Sequence, residues 1–202
     1  MLFREIKSFI GELDTDSLSD HRKTVLQPLV GYIRQKEERQ ETIRLNFICT
    51  HNSRRSHLAQ VWAQTMACYF GVENVFCHSG GTTVTAIFPA ILETLLRTGF
   101  EVEQISPGTN PTYCITYADH APPILGFSKK WNVEIDSGDE FAAVLTCSQA
   151  NAICPFIPGA TKRFFIPYED PKIYDDTTQR TAQYAERSIQ MATELYYVFS
   201  KI

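Results

Sequence analysis

The 202-residue chain has no long apolar run. Its start, MLFREIKSFIGELD, places Arg4, Glu5 and Lys7 where a signal peptide would be uninterrupted hydrocarbon. No later segment approaches the ~20 apolar residues of a membrane span. Cysteine is scarce: six thiols are too few for a disulfide scaffold, and without a secretory signal they are expected to be reduced, in the cytoplasm. No two cysteines stand two residues apart and the five histidines are scattered, which argues against zinc; no other cofactor is implied. Positive charge is also in short supply. With 19 Lys+Arg against 23 Asp+Glu the net charge is -4, so general nucleic-acid binding and a polybasic membrane anchor are both disfavoured. Any anion site must therefore be local. Repeats and low-complexity tracts are absent, and 44% hydrophobic residues suffice for a full core, in one domain with extensions or two very small ones.

Along the chain, Leu2, Phe3, Ile6, Phe9, Ile10 and Leu13 recur at helical spacing. A second stripe, Leu18, Val25, Leu26, Leu29, Val30 and Ile33, follows the capping candidates Ser17 and Ser19, and Pro28 is expected to kink or split it. RQKEERQE then reads as a solvated linker. From Thr42 the pattern changes: TIRLNFI reads as a strand, CTHNSRRS as a polar loop and HLAQVWAQTMACYF as a helix. VENVFCHS is a second strand and IFPAILETLLRTGF a helix with Gly99 near its C-cap. TNPTYCITYADHAPPILGFSK reads as a hairpin or irregular excursion, spanning 109–129. FAAVLTC and TKRFFIPY are further strands, and Thr177 to Ser200 form a final helix. Alternation of this kind predicts an α/β fold, a mostly parallel sheet with helices on both faces. The expected organisation is an N-terminal helical extension, residues 1–41, that packs on the core or makes a dimer, followed by a catalytic domain, residues 42–202.

Cys49 to Ser56 carry the sharpest signal. A cysteine ends a buried strand, and Arg55 follows six positions later, just before a helix. Backbone N–H groups in a short loop at a helix N-terminus converge on one point, the helix dipole adds positive potential, and an arginine can clamp two oxygens in a fork. The same field favours a thiolate at Cys49, which makes it a candidate nucleophile toward a tetrahedral anion. Thr50, His51, Asn52, Ser53, Arg54, Arg55 and Ser56 are the candidate oxyanion binders, with Asn52 and Ser56 holding loop and thiolate. His51, Arg54 and His57 add positive or polar character. The plainer reading is a small cysteine buried at a strand end.

Cleaving a bond to a phosphate or arsenate oxygen requires protonation of the leaving oxygen. Asp170, in FFIPYEDPKIYDD between the last strand and the last helix, is the candidate acid; Glu169, Asp175 and Asp176 are substitutes. FAAVLTCSQANAICPFIPG places Cys147 at a strand end and Cys154 seven residues later in a polar loop. A thiol pair supplies two electrons by forming a disulfide, which reduction of an oxyanion needs and hydrolysis does not. Cys68, Cys77 and Cys114 read as packing residues.

LNFICTHNSRRSHLAQ resembles the phosphate loop of the low-molecular-weight protein tyrosine phosphatase superfamily, which includes the thioredoxin-coupled arsenate reductases; the resemblance runs from about Ile43 to Ile202. It implies a three-layer α/β sandwich with a mostly parallel four-stranded sheet, Cys49 as nucleophile and Arg55 as oxyanion ligand. HSGGTT resembles the small-residue turn after the second strand, and Asp170-Pro171 the family's acid motif. The phosphatase branch usually has a cysteine where this chain has Arg54, and a proline is frequent where it has His57. The Cys147 to Cys154 segment resembles the redox loop of the arsenate reductases. That likeness implies attack of Cys49 on arsenic, a Cys49–Cys147 disulfide, its transfer to Cys154, and reduction by thioredoxin. The reading that follows is arsenate reduction, with phosphotyrosine or small phosphate ester hydrolysis as the alternative. A non-catalytic phosphate-binding module is a third class.

Overall fold

The computed structural model describes residues 1–132, 140–153 and 156–202. Four parallel strands form the central sheet: β1 (Ile43–Cys49), β2 (Val75–Gly81), β6 (Phe141–Leu145) and β7 (Ala160–Phe165), in the order β2-β1-β6-β7. β1 and β6 are buried almost throughout, because helices and loops cover both faces, which is why FAAVL of β6 reads as a continuous apolar run rather than an alternating one. One face, carrying Ile43, Leu45, Phe47, Ala142 and Val144, packs into the main core with α3 (Arg55–Phe70) and α6 (Arg180–Phe199). The other, carrying Ile48, Phe141, Ala143 and Leu145, is covered by Ala150 of the short α5 (Ser148–Ile153), Ile157 and Trp131. This is an α/β three-layer arrangement.

The first forty residues join that core. α1 (Arg4–Gly11) and α2 (Asp20–Glu38) bury Ile6, Ile10, Leu26, Leu29, Val30 and Ile33 to 1% exposure or less, in the same cluster as the sheet. Phe9 stacks on the fully buried Trp62 at 5.2 Å. Pro28 does not split α2, which runs on through five of the eight residues of the expected linker. A mid-helix proline costs about 3 kcal/mol, and four fully buried aliphatic side chains at about 1.5–3 kcal/mol each outweigh it. The excursion at 109–129 is ordered as β4 (Tyr113–Thr116) and β5 (Ile124–Gly126), which pair antiparallel with β3 (Glu101–Gln104) in a second sheet. Between β2 and β3 lies α4 (Pro89–Arg97). The segment after Cys147 is helical as α5 rather than a loop, and Cys154 lies outside the described residues.

Order β2-β1-β6-β7 sends the chain left from β1 and then right to β6, so the crevice between their carboxyl ends is the place where such sheets bind ligands. Cys49 pairs with Gly81 on one side, and Thr146 N donates to Ile48 O at 2.8 Å on the other. Glycine is required beside that crevice: a Cβ at Gly80 would stand 2.2 Å from the Cα of Trp131. We expect Gly80→Ala to cost about 2 kcal/mol or more in urea unfolding, since backbone cannot yield as a side-chain tip does. Gly31→Ala, in mid-α2 with open space around it, should instead stabilise by about 0.5–1 kcal/mol. Equal effects at the two positions would refute the packing described.

Candidate active site

The loop between β1 and α3 is shaped by what its carbonyls do. Thr50 O accepts from Thr83 N (2.8 Å) and Thr82 Oγ1 (3.1 Å), and His51 O from Ser128 Oγ (2.8 Å) and Thr85 Oγ1 (3.2 Å). Asn52 O accepts from His57 Nε2 (2.9 Å), and Ser53 O from Phe88 N (3.0 Å). All four carbonyls therefore face outward. Because C=O and N–H of a trans peptide point in opposite directions, the N–H groups of residues 51 to 54 face inward. No acceptor among the described residues takes the N–H groups of 51 to 56. Together with the N-terminus of α3 they form a concavity for an anion.

Cys49, 4% exposed, lies at its base, with Sγ hydrogen-bonded to Ser56 Oγ at 3.1 Å. The protons of the supporting network follow from its acceptors. His57 Nε2 faces a carbonyl and must carry the hydrogen, so His57 Nδ1 accepts from Ser79 Oγ (3.3 Å). Ser79 Oγ in turn accepts from Asn52 Nδ2 (3.0 Å), which also donates to Ser56 Oγ (2.9 Å). Ser56 is left to direct its own proton at Cys49. Asn52 sits in the left-handed region at φ 45°, and its Oδ1 accepts from Lys129 N at 2.9 Å.

His57 is thus buried and neutral, a polar rather than a positive contributor: burial, with the Lys129 ammonium second, pushes its pKa down to about 3. Arg54 is likewise turned away from the anion site. Its Nε donates to Tyr184 OH at 2.6 Å, Nη2 pairs with Asp175, and its guanidinium lies 4.0 Å over the Phe88 ring. Only its backbone stays with the loop. Asp175, a substitute acid on the sequence, is held by Arg54 and Tyr184, while burial and that carboxylate push the Tyr184 phenol up.

Arg55 does face the site. Nη2 donates to Asp170 Oδ2 at 2.6 Å and Nη1 to Tyr168 O at 3.1 Å, while Nε is buried with no partner among the described residues. Asp170 Oδ1 accepts from Lys172 N at 3.1 Å, capping a single helical turn, Pro171–Tyr174. Glu169 points instead to Arg187 Nη2, 3.3 Å away, so of the four candidate carboxylates Asp170 is the one set against Arg55. Cys147, 2% exposed, lies one strand from Cys49; Sγ is 3.6 Å from Thr50 Oγ1 and accepts from Ala150 N at 3.3 Å. Cys77 is buried, Cys114 partly buried and Cys68 exposed on α3. Sequence reasoning missed the bonds that Ser79, Ser128, Lys129 and the carbonyl of Tyr168 make to residues 51, 52 and 55; nothing in the spacing of the chain linked them to the loop.

A cleft of about 360 Å³ opens beside the loop, lined by His51, Ser53 and Arg54 on one side and Phe88, Pro89 and Lys172 on the other. A larger one, about 500 Å³, runs along the outer edge of β2 beside Pro122 to Leu125; mostly apolar, it lacks an anion-binding set. Among the described residues no cluster of metal-ligating side chains is present, and no helix is long and apolar enough to cross a membrane.

No protein-family model matches the chain. No curated protein matches it either. Solved structures do. It superposes on a YwlE mutant from Bacillus subtilis with TM-score 0.54 and 17% identity, covering 79% of this chain and 97% of that one. A YwlE arginine phosphatase mutant with a phosphorylated active-site serine matches at TM-score 0.53 and 16% identity, over 78% and 94%. A low-molecular-weight protein tyrosine phosphatase from T. tengcongensis matches at 0.52 and 15%, over 80% and 100%. These likenesses establish the fold.

The neutral His57 has a consequence for stability. Unfolded, it takes a proton near pH 6.5; folded, not until about 3, so unfolding absorbs a proton throughout that window. Its contribution is fully present above pH 6.5 and is lost as pH falls, by up to about 1.4 kcal/mol per pH unit. His57→Gln should be less stable than wild type at pH 7, and the gap should shrink by about 2 kcal/mol between pH 6.5 and 4.5 in urea titrations. A gap independent of pH would refute the neutral assignment.

Proposed function

We propose that this chain is a phosphatase that hydrolyses phosphate monoesters, phosphotyrosine or small phosphate esters, through a phosphocysteine intermediate. The carrying observation is the outward turn of four consecutive loop carbonyls, which leaves inward N–H groups above the sulfur of Cys49 with Arg55 alongside. A phosphoryl group fits that concavity. In the first step the Cys49 thiolate attacks phosphorus, the P–O bond to the leaving group breaks, and Asp170 delivers its proton to the departing oxygen. In the second, water attacks phosphorus, Asp170 takes the proton, and the S–P bond breaks. Before the first step Arg55 must exchange the Asp170 carboxylate for phosphate oxygens; Asp170, no longer paired with the cation, takes up a proton from solvent and can then act as the acid. The structural neighbour with a phosphorylated active-site serine supports a phosphorylated residue as the intermediate. Thr50, His51, Asn52, Ser53 and Arg54 would serve mainly through their backbone, and residues 42–202 would carry the chemistry, with 1–41 packed against them. A nucleophilic thiol requires a reducing compartment, hence the cytoplasm.

Cys147 favours a second reading, arsenate reduction. Its thiol lies buried beside Thr50 and can supply, with Cys49, the two electrons that take arsenate to arsenite, leaving a disulfide that Cys154 and thioredoxin would resolve. The two chemistries are separated by one variant.

Purified protein should hydrolyse p-nitrophenyl phosphate; Cys49→Ser should abolish turnover, and Asp170→Asn should lower kcat/KM by about 10²–10⁴ on phenyl phosphate, whose leaving group needs a proton, and far less on p-nitrophenyl phosphate. Cys147→Ser should leave hydrolysis within about two-fold, since no step of it uses that thiol. Arsenate-dependent NADPH oxidation with thioredoxin and its reductase, lost in Cys147→Ser and unaccompanied by ester hydrolysis, would replace the phosphatase reading with the reductase.

A further inference from the structure

We infer that Arg22, in the N-terminal helical extension, is a positioning residue for the acid loop, a role that rests on the phosphatase reading above. Arg22 lies in the first turn of α2 and is only 16% exposed. Nε and Nη2 each donate at 2.7 Å to the two oxygens of Glu194, which is 1% exposed on α6. Such a fork fixes the guanidinium plane in a way a single point charge would not. Glu194 Oε1 is fixed in turn by Gln190 Nε2 at 2.9 Å.

The guanidinium held this way lies 4.9 Å from the centre of the Tyr168 ring. Tyr168 is buried, and burial together with the Glu194 carboxylate pushes its phenol well up, so the ring stays neutral under the cation. The backbone of Tyr168 then does two things. Its N–H donates to Thr146 O at 3.1 Å, tying the loop to the end of β6, and its carbonyl accepts from Arg55 Nη1 at 3.1 Å. The other arm of the same guanidinium holds Asp170, two residues on. A chain of direct contacts thus runs from Glu194 through Arg22 and the Tyr168 ring to Arg55 and Asp170. α2 is itself anchored by Leu26, Leu29, Val30 and Ile33, all fully buried, so Arg22 is a fixed point on the core. The extension is in this way part of the apparatus that sets where the acid sits.

A misplaced general acid penalises leaving groups in proportion to their need for a proton. That distinguishes positioning from general destabilisation. Phenyl phosphate, whose phenolate leaves poorly, should lose about 10- to 100-fold in kcat/KM on Arg22→Ala, and p-nitrophenyl phosphate, which needs little proton help, less than about 3-fold. Arg22→Lys keeps a cation over Tyr168 but not the fork; it should show the same split on a smaller scale, and carries the test if Arg22→Ala fails to fold. Amide hydrogen exchange across residues 166–172 should quicken in the variant while β1 keeps its protection. Equal losses on both esters, or no loss on either, overturn the role. If wild type hydrolyses neither ester, the phosphatase reading fails and exchange alone decides: unchanged protection across 166–172, or loss spread through β1, overturns the role of Arg22 as well.

Discussion

Asn52 occupies a backbone conformation that costs a non-glycine residue about 1–2 kcal/mol, and the rest of the site depends on its being held there. The left-handed turn is what reverses the peptide planes of the loop so that carbonyls point out and N–H groups in. Four hydrogen bonds hold it, two from Nδ2, one to Oδ1 and one to the main-chain oxygen, on a residue with no solvent exposure. Their partners come from α3, from β2 and from the segment around Lys129, so the loop is pinned from three directions before any ligand arrives. Pre-organisation of this kind is what lets backbone dipoles stabilise a charge without reorganising at the moment of reaction. Gly81 completes the constraint, since a Cβ there would stand 2.7 Å from Asn52 N.

Arg55 is the second shared element, because its guanidinium bonds both the acid and the main chain beside it. Asp170 Oδ2 takes one arm of the guanidinium and Tyr168 O the other. An oxyanion bound in the loop would therefore compete with Asp170 for one cation. The segment that carries Asp170 is itself held in place. Thr146 and Arg22 hold Tyr168, and Arg187, leaning from the same helix as Glu194, contacts Glu169. The last helix thus acts as a rail along the acid loop, and α2 braces it from outside.

How far the site could be read in the sequence follows from the range of its interactions. Cys49, Asn52, Arg55 and Ser56 lie within eight residues between a strand and a helix, and such local patterns survive in one dimension. The alternation of strands and helices gave the parallel sheet for the same reason. Arg54 and His57 were misjudged because their partners are remote in sequence or set by burial: Asp175 and Tyr184 lie 121 and 130 residues beyond Arg54. Charge at His57 depends on a desolvation that no residue count reveals. Pro28 was overweighted for a related reason, since its local penalty is visible in the sequence and the four side chains buried around it are not.

Two adjacent arginines illustrate how the fold divides what composition lumps together. Both were candidates for oxyanion binding, but Arg54 is the non-helical N-cap of α3 and Arg55 its first residue, and their side chains leave the loop in different directions. Arg55 is turned to Asp170; Arg54 is turned to Asp175, where its charge is cancelled, to the face of Phe88 and to the hydroxyl of Tyr184, the two rings stacking on one another at 5.7 Å. Arg54 therefore joins the start of α3 to α6 and closes one wall of the cleft beside the loop. The attraction for an anion is left to one guanidinium and a ring of backbone dipoles. In a chain of net charge -4 that attraction is short in range.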